Sequence, residues 1–428
     1  MKFATTGDFL IHVPAPHRHD GLDAIAAYLK DADCRVTNLE TTITRGECYA
    51  NAYYPDASLT APPEVLDTVK RLGIQACGCA NNHTMDYAID GVFATMKHLD
   101  EAGLLRAGIG RDLHEASKPV TIPTDHGTVA YLAQVCLNRK NESGRAGYSH
   151  DGIPARPGVN GLRRIDESLV TQEQMDYIKD LARQTMVNAQ EDLEKAYGFG
   201  DLDDGSFSYG VMKFRVAEKT GRISRVNEYD MQRTEREIRN AKRNHAFAMV
   251  AIHSHQFKAL AEEEPDYYLE EYAHRCIDAG ADAVIGSGNH LLKGIEIYRD
   301  RPIFYGLANF IFQPDYVDKT PADMVEMYGF PLTMSGAEVS AARVAKGSAS
   351  MERSQIFYLS VVPKWTITDG KLTEIKLLPI ELGLKEPWGR RGFPSPVSPD
   401  LVFDHLQRVC KPFGTELVIN GDTIDVVL

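Results

Sequence analysis

No apolar run in this 428-residue chain approaches the roughly 18 residues that suggest a membrane span. The start, from Met1 through Phe3 to Asp8, lacks the charged segment, apolar stretch and small-residue cleavage site of a secretory leader. Cysteine is sparse and unpatterned. Its seven residues, at 34, 48, 77, 79, 136, 276 and 410, are odd in number and irregularly spaced, which fits reduced thiols rather than a disulfide framework. Together these absences predict a cytoplasmic protein with no membrane segment. Positive charge is also short: 47 Lys and Arg face 60 Asp and Glu, a formal net charge of −13. The acid excess runs along the whole chain, so a nucleic-acid binder with a broad basic face is excluded and polyanions are poor bulk partners. A phosphate-cradling P-loop is missing, as are internal repeats and low-complexity tracts. Ser254 and Gly286-Ser287-Gly288 lack nucleophile-elbow spacing, and Gly108-Ile109-Gly110 falls short of a dinucleotide fingerprint.

What is present belongs to a folded chain: 43% hydrophobic and 25% charged residues supply a core and exclude global disorder. The first half alternates short apolar strands (2–7, 34–39, 74–80) with amphipathic helices (21–31, 63–72, 87–102), a βαβ rhythm that predicts an α/β fold. In the third helix Ile89, Phe93, Met96 and Leu99 recur at helical steps and Gly103 closes it. Strands at 129–136, 247–252, 282–286 and 303–308 continue the pattern. The texture changes to Gly, Pro and Arg in 139–164, then to helix-like stretches at 166–197 and 230–243. Beyond Pro314 come a helix-poor Ser/Ala/Gly segment, strand-like runs at 357–363 and 372–378, and a closing αβ piece. The expected organisation is a core from 1–137 and 246–313, an insertion or cap at 138–245, and a C-terminal subdomain at 314–428 completing the fold. The chain carries no signature of oligomeric state.

Ligands of open α/β sheets collect at the carboxyl ends of strands, so the residues that close each apolar strand matter most. Here those closures are Gly7-Asp8, Asn38-Leu39-Glu40, Asn81-Asn82-His83, His253-Ser254-His255 and Gly288-Asn289-His290. Each delivers a metal-type ligand. Carboxylate and carboxamide oxygens mixed with imidazoles suit Mn²⁺, Fe²⁺ or Zn²⁺, with Mn²⁺ favoured, better than thiolate-loving ions. One ion or a pair is expected, with a carboxylate such as Glu40 as bridge. Two ions roughly 3.5–4 Å apart would generate a hydroxide nucleophile and clamp a phosphoryl or carbonyl centre, which makes hydrolysis the natural chemistry.

Each of these residues alone has a bland reading: Asp8 as a turn cap, Glu40 as a surface acid, His253 as a satisfied core histidine. Five core strands that all end in ligand-type residues are harder to explain that way. Other positions earn less. Cys77 and Cys79 alternate with small residues as buried strand thiols do; His98 and His274 read as solvated or structural. His12 and His17 follow Asp8 and remain minor candidates for the site. Arg145, Arg156, Arg163 and Arg164 offer bidentate grips for carboxylate or phosphate, or are plain surface arginines.

The ordered motifs Gly7-Asp8, Asn38-Leu39-Glu40-Thr41, Ala80-Asn81-Asn82-His83 with Asp86, the histidines of 253–255, and the run from Arg301 through Asn309 to Phe312 resemble the CapA family of poly-gamma-glutamate capsule synthesis proteins. The resemblance covers about residues 3–136 and 246–313, and the Leu377–Leu382 run fits it too. It implies a calcineurin-like metallophosphoesterase fold, a four-layer αββα sandwich with a helical insertion and a C-terminal α+β extension. It further implies that Asp8, Glu40, Asn82, His253 and His290 hold metal, with His83 as general acid or transition-state stabiliser. Two departures stand out. The family commonly has Gly-His-Gly-Pro-His where this chain reads Gly286-Ser287-Gly288-Asn289-His290, and His255 stands where a Gly often follows the Trp of a His-Trp-Gly motif. His255 is therefore the expected substitute ligand for the histidine missing at Ser287. The implied function is a metal-dependent hydrolase acting on a small anionic phosphoester or gamma-glutamyl-type amide. The alternative is a non-catalytic accessory protein of capsule polymer synthesis that binds an acidic chain.

Overall fold

The computed structural model describes residues 1–52, 58–137, 144–199, 204–258, 260–347 and 354–428; part of the 139–164 stretch lies outside them. In the first third, Cys34–Leu39 pairs in parallel with Lys2–Leu10 on one side and Ala76–Gly78 on the other. Parallel neighbours need crossovers, and the helices Asp20–Leu29 and Leu66–Arg71 supply them. The first of these buries Leu22, Ile25 and Leu29, one face of a helix, in the same core as the strands.

These strands belong to a ten-stranded sheet. On the far flank of Lys2–Leu10 lies an antiparallel hairpin from the end of the chain, Leu359–Thr368 with Lys371–Glu381. A second, seven-stranded sheet runs parallel through Gly127–Cys136, Phe247–Ser254, Ala283–Gly288 and Arg301–Phe304. These strands are near-continuous apolar runs because both faces are covered. One face shares a core with the first sheet: Phe3 stacks on Trp365 at 5.4 Å and meets Phe247 edge-on at 5.1 Å. On the other, Tyr268 and Tyr272 of helix Tyr267–Asp278 and Met231 of helix Glu228–Asn244 form a second core with Val250 and Val284. The architecture is mixed α/β with several sheets. Among the described residues no helix is long and apolar enough to cross a membrane.

Several elements differ from expectation. The strand expected at 303–308 ends at Phe304; the chain then crosses to the other sheet, where Asn309–Phe312 pairs with Lys2–Leu10. Ala308, at φ +55°, makes the turn into that strand. The helix expected from 166 begins as a strand, Arg164–Val170, paired antiparallel with Gly221–Val226. A capping box of Thr171 and Gln174 starts the helix at Gln172, and left-handed Met186 stops it. The Ser/Ala/Gly segment after 314 holds two helices, Ala322–Met327 and Gly336–Ala345. Their signal was there: Ser335 and Glu338 form a capping box ahead of an alanine-rich stretch. In helix Ala88–Ala102, Ile89 and Phe93 are exposed while Val92, Met96 and Leu99 carry the buried face. Gly103 closes that helix at φ +71°.

Candidate metal centre

Strand Lys2–Leu10 shifts register between Thr5 and Asp8, which turns the Asp8 carboxylate inward while its amide donates to the Ala308 carbonyl at 2.9 Å. Gly7 permits this approach, since a β-carbon there would lie 2.1 Å from the same carbonyl oxygen. Asp8 is fully buried. The Asn38 amide donates to its Oδ1 at 2.7 Å and the Gly288 N–H to its Oδ2 at 3.1 Å. Burial pushes its carboxyl pKa up, against the pull of His290 and these donors.

From the second sheet, His253 enters the same rim. Its Nδ1 lies 2.9 Å from Ser287 Oγ; its Nε2 lies 2.8 Å from Asn82 Oδ1, 3.1 Å from His255 Nε2 and 3.5 Å from Glu40 Oε1. Burial, then the neighbouring His255, His290 and His83, hold His253 well below the ordinary imidazole range. His290 is lowered by burial as well. A neutral imidazole is the ligating form. His290 sits at φ +60°, an unfavourable backbone for a side chain of its size, and Asn309 Oδ1 at 2.8 Å from its Nδ1 fixes the ring.

Two overlapping groups of donors result, Glu40 with His253 and His255, and Asp8 with Glu40 and His290, each with ligand atoms within 4.8 Å of one another. Asn82 meets the first group through His253. All six residues expected to hold metal thus converge on one rim, three from each sheet. The donor chemistry fits a divalent cation: buried carboxylate, carboxamide oxygen and imidazoles kept neutral, sharing Glu40 between two positions. Ser287, expected as a gap in the ligand set, instead bonds Nδ1 of His253 and so aims Nε2 into the cluster.

His83 lines the cavity over this rim. Its Nδ1 is 2.6 Å from Asp86 Oδ2, its amide donates to Asn81 Oδ1 at 3.1 Å, and its carbonyl accepts from Thr42 at 3.0 Å. The carboxylate can only accept, so Nδ1 carries the proton of the neutral ring. His12 also lines the cavity, but its Nδ1 is tied to the Thr60 carbonyl at 3.0 Å and burial holds it down at about 4. His17 is exposed and apart. Cys77 and Cys79 are buried with thiols pushed up by burial, Cys79 to about 12, and neither belongs to the donor groups found among the described residues. The arginines lie elsewhere: Arg145 and Arg163 bind Asp230, Arg164 binds Asp166, and Arg156 donates to the Arg145 carbonyl.

Sequence reasoning assigned no role to Asn38, Ser287, Asn309 or Asp86, which orient the ligands and His83. Asn38 and Ser287 stand in the strand-end motifs of nominated residues and Asp86 three positions after His83, whereas Asn309 opens strand Asn309–Phe312, 19 positions from His290.

Comparison with known proteins supplies the family. The family described as bacterial capsule synthesis protein PGA_cap matches residues 2–314. The chain is 32% identical to the protein y4sH of Sinorhizobium fredii, across 98% of this chain and 91% of that one. It is 25% identical to a probable polyglutamine synthesis accessory protein of Mycobacterium tuberculosis, across 70% of this chain and 61% of the relative. With the PGA biosynthesis protein CapA of Bacillus subtilis it shares 20% identity, across 87% and 82% of the two chains.

Proposed function

Because the chain belongs to the bacterial capsule synthesis protein PGA_cap family, we propose that it is a metal-dependent hydrolase of a small anionic phosphoester or gamma-glutamyl-type amide. The observation that carries this reading is the convergence of Asp8, Glu40, His253, His255 and His290 beneath a cavity lined by His83. In this reading the two sheets and their covering helices are the four-layer αββα sandwich of a metallophosphoesterase. Residues 138–245 then form a cap on a core of 1–137 and 246–313, and 314–428 completes the fold. The seven free cysteines suit a reducing compartment, and we place the protein in the cytoplasm.

Asp8, Glu40, Asn82, His253, His255 and His290 would hold one or two divalent ions, Mn²⁺ before Fe²⁺ or Zn²⁺. When bound, such ions supply Lewis acidity and bring the pKa of water toward neutral. Hydrolysis joins the oxygen of water to phosphorus or carbonyl carbon and breaks the bond to the departing alcohol or amine, which takes up a proton. His83 gives that proton from Nε2, and Asp86 at Nδ1 stabilises the imidazolium before transfer and keeps the ring oriented. Asn81 and Thr42 fix the backbone of His83, and Ser287 and Asn309 fix the rings of His253 and His290.

A second reading rests on the names of two relatives, a polyglutamine synthesis accessory protein and a PGA biosynthesis protein. On that reading the same rim binds an acidic chain without cleaving it. Elemental analysis and turnover of p-nitrophenyl phosphate and gamma-glutamyl p-nitroanilide, in wild type beside His83→Ala, separate the two. A hydrolase keeps its metal in the variant and loses about 10²–10⁴-fold in turnover. Metal-loaded wild type that turns over neither substrate moves the assignment to the accessory role, turnover that His83→Ala leaves unchanged removes His83 as the proton donor, and a wild type that takes up none of the three metals overturns the hydrolase.

A further inference from the structure

The cavity over the rim encloses about 350 Å³. That lies at the small end of the roughly 300–1,000 Å³ usual for ligand sites, enough for one small molecule. Its lining is uneven. Beyond Asn82, His83, His255 and His290, the wall is largely apolar, with Leu10, Phe312, Val317, Met324, Val339 and Phe357. Part of that wall comes from the two helices after 314. In Gly336–Ala345 the buried positions are Gly336 and Val339, so its one buried side chain faces the cavity. Gly336 seats the helix against the preceding loop, where a β-carbon would fall 2.3 Å from the Asp318 carbonyl. The helix is thus pinned in place with Val339, Ser340 and Arg343 lining the cavity.

Charge on this wall is balanced. Arg343 is the sole lysine or arginine among the described lining residues and Glu262 the sole carboxylate outside the rim. A strand of polyglutamate carries a carboxylate on every residue, and this wall would strip water from those charges with one guanidinium to offset them. An alkyl or aryl group, by contrast, gains from burial there.

We infer that the site selects small anionic substrates with an apolar arm, the scissile phosphoester or amide at the rim and the arm against Met324, Val339 and Phe357. This rests on the hydrolase reading for the placement of the scissile group. Met324 and Val339 set specificity, since they touch the arm and not the reacting atoms.

Calorimetry with methyl-, butyl- and hexylphosphonate on the full chain loaded with Mn²⁺ tests it, because these anions cannot be hydrolysed and differ only in arm length. Affinity is expected to rise about three- to fourfold per methylene until the wall is filled. Val339→Ala and Val339→Ser, which shorten or polarise the wall without adding charge, flatten the rise and leave metal content unchanged. Equal affinity for all three phosphonates in wild type overturns the inference and leaves the hydrolase reading standing. If the chain takes up no metal, the hydrolase reading fails and the arm site is tested on metal-free protein with 8-anilinonaphthalene-1-sulfonate. Fluorescence that rises with wild type and falls severalfold in the uncharged Val339→Ser supports the site; equal enhancement in both overturns it.

Discussion

Two buried carboxylates of this molecule are handled in opposite ways. On helix Glu228–Asn244, Asp230 is fully buried and is met by Arg145 at 2.8 Å, Arg163 at 2.8 Å and Arg233 at 2.6 Å. Burial alone would raise its pKa, but the guanidinium groups outweigh it and hold it well below the usual carboxylate range. At the rim, Asp8 is equally buried, yet the groups facing it are the imidazoles of His253 and His290, a carboxamide, the Ser287 hydroxyl and a backbone amide, none with fixed positive charge. There the net pKa is raised. A buried anion that the chain neutralises itself is structural; one surrounded by neutral donors is prepared for a cation from solution.

The sharpest way to break this contrast is to change each carboxylate. Asp8→Asn should lower metal affinity by more than about 100-fold, beyond the 10–100-fold typical of a supporting residue. Asn309→Ala, which removes only the partner of His290, should fall within that range; elemental analysis after dialysis against a weak chelator reads both. If Asp8→Asn instead left metal content intact and unfolded the chain, the rim would be structural like the Asp230 cluster.

Asp230→Ala should cost about 3–5 kcal/mol in denaturant unfolding, the penalty of leaving buried charges without a counterion, with metal content unchanged. Its sign with pH follows from the depressed pKa. The stability Asp230 contributes is present above the unfolded value of about 3.9 and is lost as pH falls through the lower folded value. Acid titration of wild type and Asp230→Ala should therefore converge only below about pH 4. The smallest effect lies at helix Gln172–Thr185: Thr171→Ala removes one half of a capping box and should cost about 1 kcal/mol, read by the same unfolding curves.

The rim was legible before any coordinates because each ligand closes an apolar strand, and strand ends are visible in one sequence. Asp8, Glu40, Asn82 and His253 needed no long-range information beyond that. What stayed hidden depends on contacts across the fold. Nothing in the sequence says that Ser287 will face His253, or that the chain leaves one sheet at Phe304 and reaches the other at Asn309. The helices after 314 were obscured for a local reason: small residues dilute the apolar period that marks an amphipathic helix, although the cap at Ser335 survives the dilution. Arg145 and Arg163 were misjudged because a surface arginine and one that neutralises Asp230 look the same in sequence.

The crossing between sheets also sets an order in time. A ribosome delivers Asp8, Glu40 and Asn82 first, but Asn82 waits for His253, 171 positions later, and His290 is oriented only once Asn309 has followed it across. Strand Lys2–Leu10 waits longer still for its antiparallel neighbour, Leu359–Thr368. A nascent or stalled chain that stops before His290 can bring Glu40, His253 and His255 together but lacks the second group of donors. The two groups of donors are therefore complete only when most of the chain has been made.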